Sequence, residues 1–297
     1  MNLEYLKTFY ITVKSNSISK AARLLHMSQP GVSIQLQALE KELNVKLLLR
    51  SNKGVELTDA GQIVYDYAVS ILSIQENVER QLDAFKRQKT ELIVSSCTTV
   101  GCYALPCTLY LFKENFPQVN VLLNITNSNN VVSNILNGIS KIGLIEGKTS
   151  CPELLQTKIT SDNLKLVASP DVFHINRVTG GEFLKLPLIL REEGSGTRDV
   201  IVSTLERHDI NIQQANIVME LSSSEAIKSA VIGGKGISIL SQLAIKKELA
   251  TGVLKEIQLA DLSFAADYYI IQDSNICPKS VEKSFTEFIL SSKRGFC

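Results

Sequence analysis

The stretch from Ala21 to Arg50, AARLLHMSQPGVSIQLQALEKELNVKLLLR, limits the fold more than any other, because it reads as two helices joined by a four-residue polar turn. Ser28 stands where it can cap the free amides of the second helix, and Pro30 falls in its first turn, where no backbone donor is needed. Val32, Leu36, Leu39 and Leu43 then share one apolar stripe. Ala21 and Ala22 let the first helix cross the second closely. Gln29, Ser33, Gln35 and Gln37 offer short uncharged donors and acceptors near the second helix's start, the end that enters the major groove of DNA in a helix-turn-helix.

A capped amphipathic helix pair occurs in many soluble proteins, so the residues after it matter. LLLRSNKGVELT holds an apolar run, a basic turn at Asn52, Lys53 and Gly54, and a returning strand at Val55 to Leu57, which together make a β-wing. Residues 1–58 carry eight Lys or Arg against four Glu, whereas the whole chain has a formal net charge of +1. The basic excess therefore sits at the N-terminus, as a phosphate-facing surface requires. Arg50 and Lys53 are placed to meet the DNA backbone or minor groove.

Thr58 is the cap of a helix expected from Asp59 to Arg87, about 40 Å long at the usual rise. Val64, Tyr67, Ile71, Ile74, Val78 and Phe85 advance by three or four residues, with Gln81 at the missing step and Leu82 alongside, giving a heptad-like seam. Either the chain's own body or a second copy covers it. A dimeric DNA reader needs two heads held at a fixed separation, which favours the copy.

Beyond Lys89 the pattern becomes β-α alternation. Strands are expected at Leu92–Ser96, Val119–Ile125 and Ile142–Ile145, with helices at Ala104–Asn115 and Asn130–Leu136. A second unit has strands at Leu164–Ala168, Leu188–Arg191, Ile217–Leu221 and Ile237–Leu240, with helices near Thr197–Arg207 and Glu225–Ile232. Ala265–Gln272 reads as a further strand, ahead of a helix near Lys279–Ser292.

On AARLLHMSQPGVSIQLQALEKELNVKLLLR followed by LTDAG, the chain resembles the LysR-type bacterial transcriptional regulators, and the likeness in layout extends over its whole length. The resemblance implies an α/β protein with an N-terminal all-α winged helix-turn-helix, here 1–58, and a dimerising linker helix, 59–89. It implies a regulatory domain, 90–297, of two α/β subdomains resembling periplasmic binding proteins: lobe I about 90–161 and 266–297, lobe II about 162–265. Ser28, Gln29, Pro30, Ser33, Ile34, Gln37, Arg50 and Lys53 would face DNA, and Val64, Tyr67, Ile71, Ile74, Val78 and Leu82 would form a homodimer or dimer of dimers. RNA polymerase is an implied partner. Ile34 and Leu49 depart from the family, which often has polar or basic and aromatic or polar residues there; Ile34 suits a thymine methyl.

The resemblance also supplies the strand that crosses back and a cleft between lobes, where helix N-termini favour anions. The loops there carry Ser96, Thr98 and Thr99, then Thr126, Asn127 and Ser128, then Ser195, Thr197 and Arg198 of GSGTR. Hydroxyls, amides and one guanidinium suit a small polar, anionic metabolite. Glu146 ends its strand, and as a carboxylate it accepts from a ligand hydroxyl or amine or pairs with Arg198. The alternative is that these residues only cap helices and that Arg198 faces solvent or Glu146. REEGSGTR also resembles the branch regulating carbon fixation and sulfur metabolism.

Other functions fit less well. VIGGKGISI, with Gly233, Gly234 and Gly236, lacks the spacing and lysine-serine ending of a phosphate loop and reads as a tight turn, and no catalytic triad or carboxylate pair stands out. An enzyme is not expected. A solute-binding transport receptor would share the two lobes, but the DNA head and an N-terminus without a signal-like core oppose it. No membrane span is expected, which places the chain in the cytoplasm. Six cysteines, at 97, 102, 107, 151, 277 and 297, form no CxxC pair and are expected to be reduced packing residues. The five-residue spacing of Cys97, Cys102 and Cys107 leaves a redox or metal sensor as the alternative, but the stretch runs from a strand through a loop into a helix without a nearby His, so no metal is expected. His26, His174 and His208 are scattered, and no cofactor is expected.

Overall fold

Side-chain caps start the first three helices. Asn2 accepts from the Glu4 amide ahead of α1 (Leu3–Ser15), Ser17 from Lys20 ahead of α2 (Ile18–Leu24), and Ser28 from Gly31 ahead of α3 (Gln29–Leu43). Asn16 and Asn44 end α1 and α3 in the left-handed region, which Asn tolerates. The three helices bury Leu6, Phe9, Ala21, Ala22, Val32, Leu36 and Leu39 in one core. β1 (Leu48–Ser51) and β2 (Gly54–Leu57) follow as an antiparallel hairpin, the wing.

This computed structural model describes residues 1–51, 54–86, 90–274, 276–277, 279–292 and 294–296. Asn52 and Lys53 of the expected basic turn lie outside the described residues, as does the expected helix end at Arg87. The chain divides into two units, Met1–Asp83 and Ala84–Cys297.

Glu40 ties α3 to the wing: its Oε1 accepts from the Leu47 and Leu48 amides at 2.9 and 3.3 Å, and its Oε2 from Lys46 at 2.7 Å. Partial burial pushes its carboxyl up, but these hydrogen bonds outweigh burial and hold it below the usual range. Thr58 then caps α4 (Asp59–Lys86), accepting from Gly61 at 2.9 Å, while its own amide donates to Leu47 O at 3.0 Å. A Cβ at Gly61 would lie 2.0 Å from that Leu47 carbonyl oxygen, so the helix can cross the base of the wing only on glycine.

The second unit opens on β3 (Thr90–Cys97), α5 (Thr98–Tyr103), α6 (Leu105–Asn115), β4 (Val119–Thr126), α7 (Ser128–Leu136) and β5 (Ile142–Glu146). β3 lies between β4 and β5, parallel to both. β6 (Leu154–Ala168) runs out of this lobe. The other lobe follows with β7 (Arg177–Val178), α8 (Gly180–Phe183), β8 (Leu188–Arg191), α9 (Gly196–Glu206), β9 (Ile217–Leu221), α10 (Ser224–Ile232), β10 (Ser238–Ser241), α11 (Gln242–Thr251), β11 (Lys255–Glu256) and β12 (Gln258–Leu259). β13 (Phe264–Asp273) returns, and α12 (Val281–Leu290) packs on the first lobe's core.

β13 pairs antiparallel with β6 from Phe264↔Leu164 to Asp273↔Leu154 and with β5 through Tyr268↔Glu146. Along these two strands the core changes hands. Ile159, Tyr268 and Ile270 pack with Leu92, Val94, Phe112 and Phe285, whereas Leu164, Leu166, Phe264 and Ala266 pack with Phe183, Leu190, Ile201 and Ile239. Gly233 to Gly236 make the turn between α10 and β10, with Gly234 at φ +70°.

Three local readings change. The strand expected at Leu164 begins at Leu154, because β6 pairs with β13 over its polar first half. A helix, α5, occupies Thr98–Tyr103 where a loop was expected, and α11 fills a stretch without an assignment.

Gly61→Ala is expected to destabilise the first unit by about 1 to 3 kcal/mol, the usual cost of forcing volume into a packed contact. Thermal unfolding of the full chain checks this, and an unchanged melting curve would show that α4 can move off Leu47.

Candidate functional site

On the first unit, α3 turns Gln29, Pro30, Ile34 and Gln37 outward, with Ser33 half-buried beside them. Ile34 is 65% exposed on that face. Ser28 spends its hydroxyl on the cap, and Gln29 Oε1 accepts from Ser19 at 3.2 Å. Gln35 does not join this face: its Oε1 accepts from Thr8 of α1 at 2.5 Å, which makes it a tie between helices. The Arg50 side chain and Lys53 lie outside the described residues.

The seam on α4 is shared between two surroundings. Val64 and Ile71 pack against the core of the head, with Tyr65 and the buried Ala68. Tyr67, Ile74, Val78 and Leu82 remain exposed. The side chains of Gln81 and Phe85 lie outside the described residues.

In the second unit, the groups from both lobes converge on Glu146. Its backbone is fixed twice by Ser128, whose Oγ donates to Glu146 O at 3.3 Å and accepts from Glu146 N at 3.2 Å. Its Oε2 accepts from Thr99 of one lobe at 3.2 Å and from Thr197 of the other at 2.8 Å. Glu146 is only 4% exposed, and its Oε1 is buried with no hydrogen-bond partner among the described residues. Burial pushes the carboxyl up to about 7, although the Thr197 and Thr99 hydroxyls and the Arg191 charge pull it down and Asp162 adds to the rise. A Cβ on Gly196 would sit 2.3 Å from Glu146 O, so the start of α9 comes this close only as glycine.

Arg191, at the end of β8, is the buried cation of this site at 3% exposure. Its Nη1 donates to Ser224 at 3.3 Å and its Nη2 to Thr98 across the cleft at 3.3 Å. Glu192 takes the guanidinium as a fork, from Nε at 2.8 Å and Nη2 at 3.0 Å. Partial burial works against the Glu192 carboxyl, yet Arg191 holds it below the usual range, with Asn127 adding a hydrogen bond. The lobes meet again where Tyr103 donates to Glu225 at 2.6 Å and Lys228 lies 5.1 Å over the Tyr103 ring.

Arg198 is corrected. It does not reach Glu146 but donates to Arg191 O at 2.8 Å and pairs with Glu220 on β9 at 2.8 Å. Thr126 accepts from Asn130 through Oγ1 and from Thr98 through its carbonyl, and Ser96 donates to Cys97 O. Ser195 is buried at the N-cap of α9 and makes no side-chain cap bond. Capping falls to other residues, Asn127 for α7 and Ser223 for α10. The thiols also divide. Cys97 is buried and pushed up to about 12 by desolvation and the Glu146 charge, Cys102 is exposed, and Cys107 is disulfide-bonded, which corrects the expectation of uniformly reduced thiols. No group of His, Cys, Asp and Glu among the described residues could hold a metal ion. No described helix is long and apolar enough to cross a membrane.

Comparison with known proteins gives matches along most of the chain. Residues 3–62 match the bacterial regulatory helix-turn-helix proteins of the lysR family, and residues 86–292 match the LysR substrate binding domain. A probable RuBisCO transcriptional regulator of Gracilaria tenuistipitata var. liui is 33% identical over 295 residues, covering 97% of this chain and 96% of that protein. The crystal structure of CbnR, a LysR family transcriptional regulator, is similar with a TM-score of 0.70 and 22% identity, covering 97% of this chain and 98% of that one. The Synechocystis PCC6803 CcmR regulatory domain in complex with 2-PG is similar with a TM-score of 0.61 and 23% identity, covering 68% of this chain and 96% of that one.

The Glu146 carboxyl makes stability depend on pH. The fold holds its proton more tightly than the unfolded chain, so its contribution is full below 4.5 and is lost as pH rises through about 7. Glu146→Gln keeps an uncharged side chain in place. Its melting temperature should gain on that of the wild type across this window and keep the advantage above it; paired thermal melts with parallel profiles would show that the carboxyl is not held neutral.

Proposed function

Because the chain belongs to the LysR-type transcriptional regulators, DNA-binding proteins with an effector-binding domain and not enzymes, we propose that it reads promoter DNA with α3 and is switched by a small anionic metabolite between its lobes. The outward face of α3 supports the first part. Gln29, Ser33 and Gln37 offer donors and acceptors to base edges, Pro30 and Ile34 offer apolar contact to a thymine methyl, and Arg50 and Lys53 serve the phosphates. The exposed Tyr67, Ile74, Val78 and Leu82 on α4 support self-association as a homodimer or dimer of dimers, which sets two heads at a fixed spacing. The regulator works in the cytoplasm and acts through RNA polymerase.

Arg191 is the single observation that carries the effector reading. A guanidinium buried where two lobes meet, bonded to Thr98 on one and Ser224 on the other, is a planar receptor for a carboxylate or phosphate. Glu192 holds that fork in the structure, and its side chain is 24% exposed. An incoming anion replaces Glu192, and the lobes close around it as far as the anion prefers the closed state. The N-termini of α7, α9 and α10 lie at the same junction and add favourable dipoles. The CcmR domain solved in complex with 2-PG (2-phosphoglycolate) supports a small anionic effector, and the likeness to a probable RuBisCO transcriptional regulator supports one from carbon metabolism.

Two outcomes test this function. Gln29→Ala or Ser33→Ala is expected to relax discrimination by about 1 to 3 kcal/mol at one position per half-site, while Lys53→Ala weakens binding to all sequences and flattens the salt slope by about one unit. Anisotropy titrations against the duplex upstream of its own gene measure both, and no binding at low salt would overturn the reading. Arg191→Gln should abolish the rise in melting temperature that small anions such as phosphate and 2-phosphoglycolate give the wild type. A rise that survives the change would place the anion elsewhere.

A further inference from the structure

The Glu146 carboxylate is the least satisfied polar group between the lobes. Both threonine hydroxyls that reach it, Thr99 and Thr197, converge on Oε2, and Ser128 is occupied with its backbone. Oε1 is left buried with no protein donor among the described residues. A buried carboxylate oxygen without a donor is costly, since it has given up water and gained nothing in return. Its charged neighbours do not fill the gap. Arg191 spends its donors on Glu192, Ser224 and Thr98, while Asp162, on β6, accepts from Tyr268 at 3.1 Å and from Ser241.

From this orphaned acceptor, and resting on the reading of the interlobe site as an anion site, we infer that the effector is a hydroxylated anion whose hydroxyl donates to Glu146 Oε1 while its charged group takes the Arg191 fork. Glu146 is then the residue that sets specificity. It rejects a plain anion of the same size and charge, which offers Oε1 no donor. A hydroxyl suits the place better than an ammonium, because burying a neutral donor costs less than burying a cation. A site built to hydrogen-bond a substrate hydroxyl discriminates strongly against the analogue lacking it, since the site's own buried group is left unpaired.

Matched probes read this directly. Lactate with propionate, and 2-hydroxypropyl phosphate with propyl phosphate, each pair differing by one hydroxyl, are titrated into the full chain by calorimetry about one pH unit above 7, where the Glu146 carboxyl is ionised. In the wild type the hydroxylated member of each pair should bind about tenfold tighter, the worth of one hydrogen bond to a charged group. Glu146→Met, similar in length but without an acceptor, should bring each pair to within about twofold. If that variant lacks a cooperative melt, Glu146→Gln carries the test, with an amide in place of the charge and a preference reduced to a few-fold. Equal binding of the pairs by wild type, with binding still lost in Arg191→Gln, overturns this inference alone. A preference that survives Glu146→Met also overturns it. No Arg191-dependent binding of any probe overturns the anion reading and this inference together.

Discussion

The pairing of β6 with β13 is the contact on which the regulatory unit depends. These are the two long strands that belong to both lobes, and their register from Leu154 opposite Asp273 to Leu164 opposite Phe264 decides which side chains serve which core. Side chains on one face of a strand recur every second residue, so a slip of one would turn Ile159 and Leu164 out of the two cores together. That register sets Tyr268 opposite Thr160 and places Asp162 within reach of the Tyr268 hydroxyl, while the other edge of β13 pairs with β5 and brings Tyr268 opposite Glu146. The acidic groups at the lobe junction are therefore positioned by backbone pairing, and the loops that meet them come from helices packed on either side.

Much of this architecture is legible in the sequence because it rests on local chemistry. The cap at Ser28, the stripe of Val32, Leu36 and Leu39, and the cap at Thr58 each follow from one or two residues and their spacing, and each is present. The β-α alternation is equally readable, since strands buried on both faces, such as Ile142–Glu146 and Leu188–Arg191, are short apolar runs. The first half of β6 is not. LLQTKITSDN lacks the apolar–polar alternation that marks a half-buried strand, burying only Leu154 and Ile159, and its strand is visible only once β13 is seen paired along it.

The candidate site divides along the same line. Thr98, Thr99, Ser128, Glu146 and Thr197 are polar residues at strand ends and helix starts, visible to a reading that follows loops. Arg191 escapes that reading because it closes an apolar strand, LILR, and its burial depends on Thr98 and Ser224, far away in sequence. A charged residue ending a buried strand was the available signal. Arg198 misleads for the converse reason: it sits in the glycine-rich loop, but Glu220 on the neighbouring β9 draws it away. Gln35 is similar, since only the approach of α1 turns it from a free amide into a partner of Thr8.

One flank of α4 is core and the other is bare. Val64, Ala68 and Ile71 are welded to the head, while Tyr67, Ile74, Val78 and Leu82 look outward. The helix is thus an axle keyed to its head, with no slack between the two stripes. Whatever grips the bare flank sets the compass bearing of α3, because each residue along the axle turns it by about 100°. A single residue gained or lost between Ile71 and Ile74 would leave the packing of Val64, Ala68 and Ile71 in place and still turn α3 to another bearing relative to the bare flank.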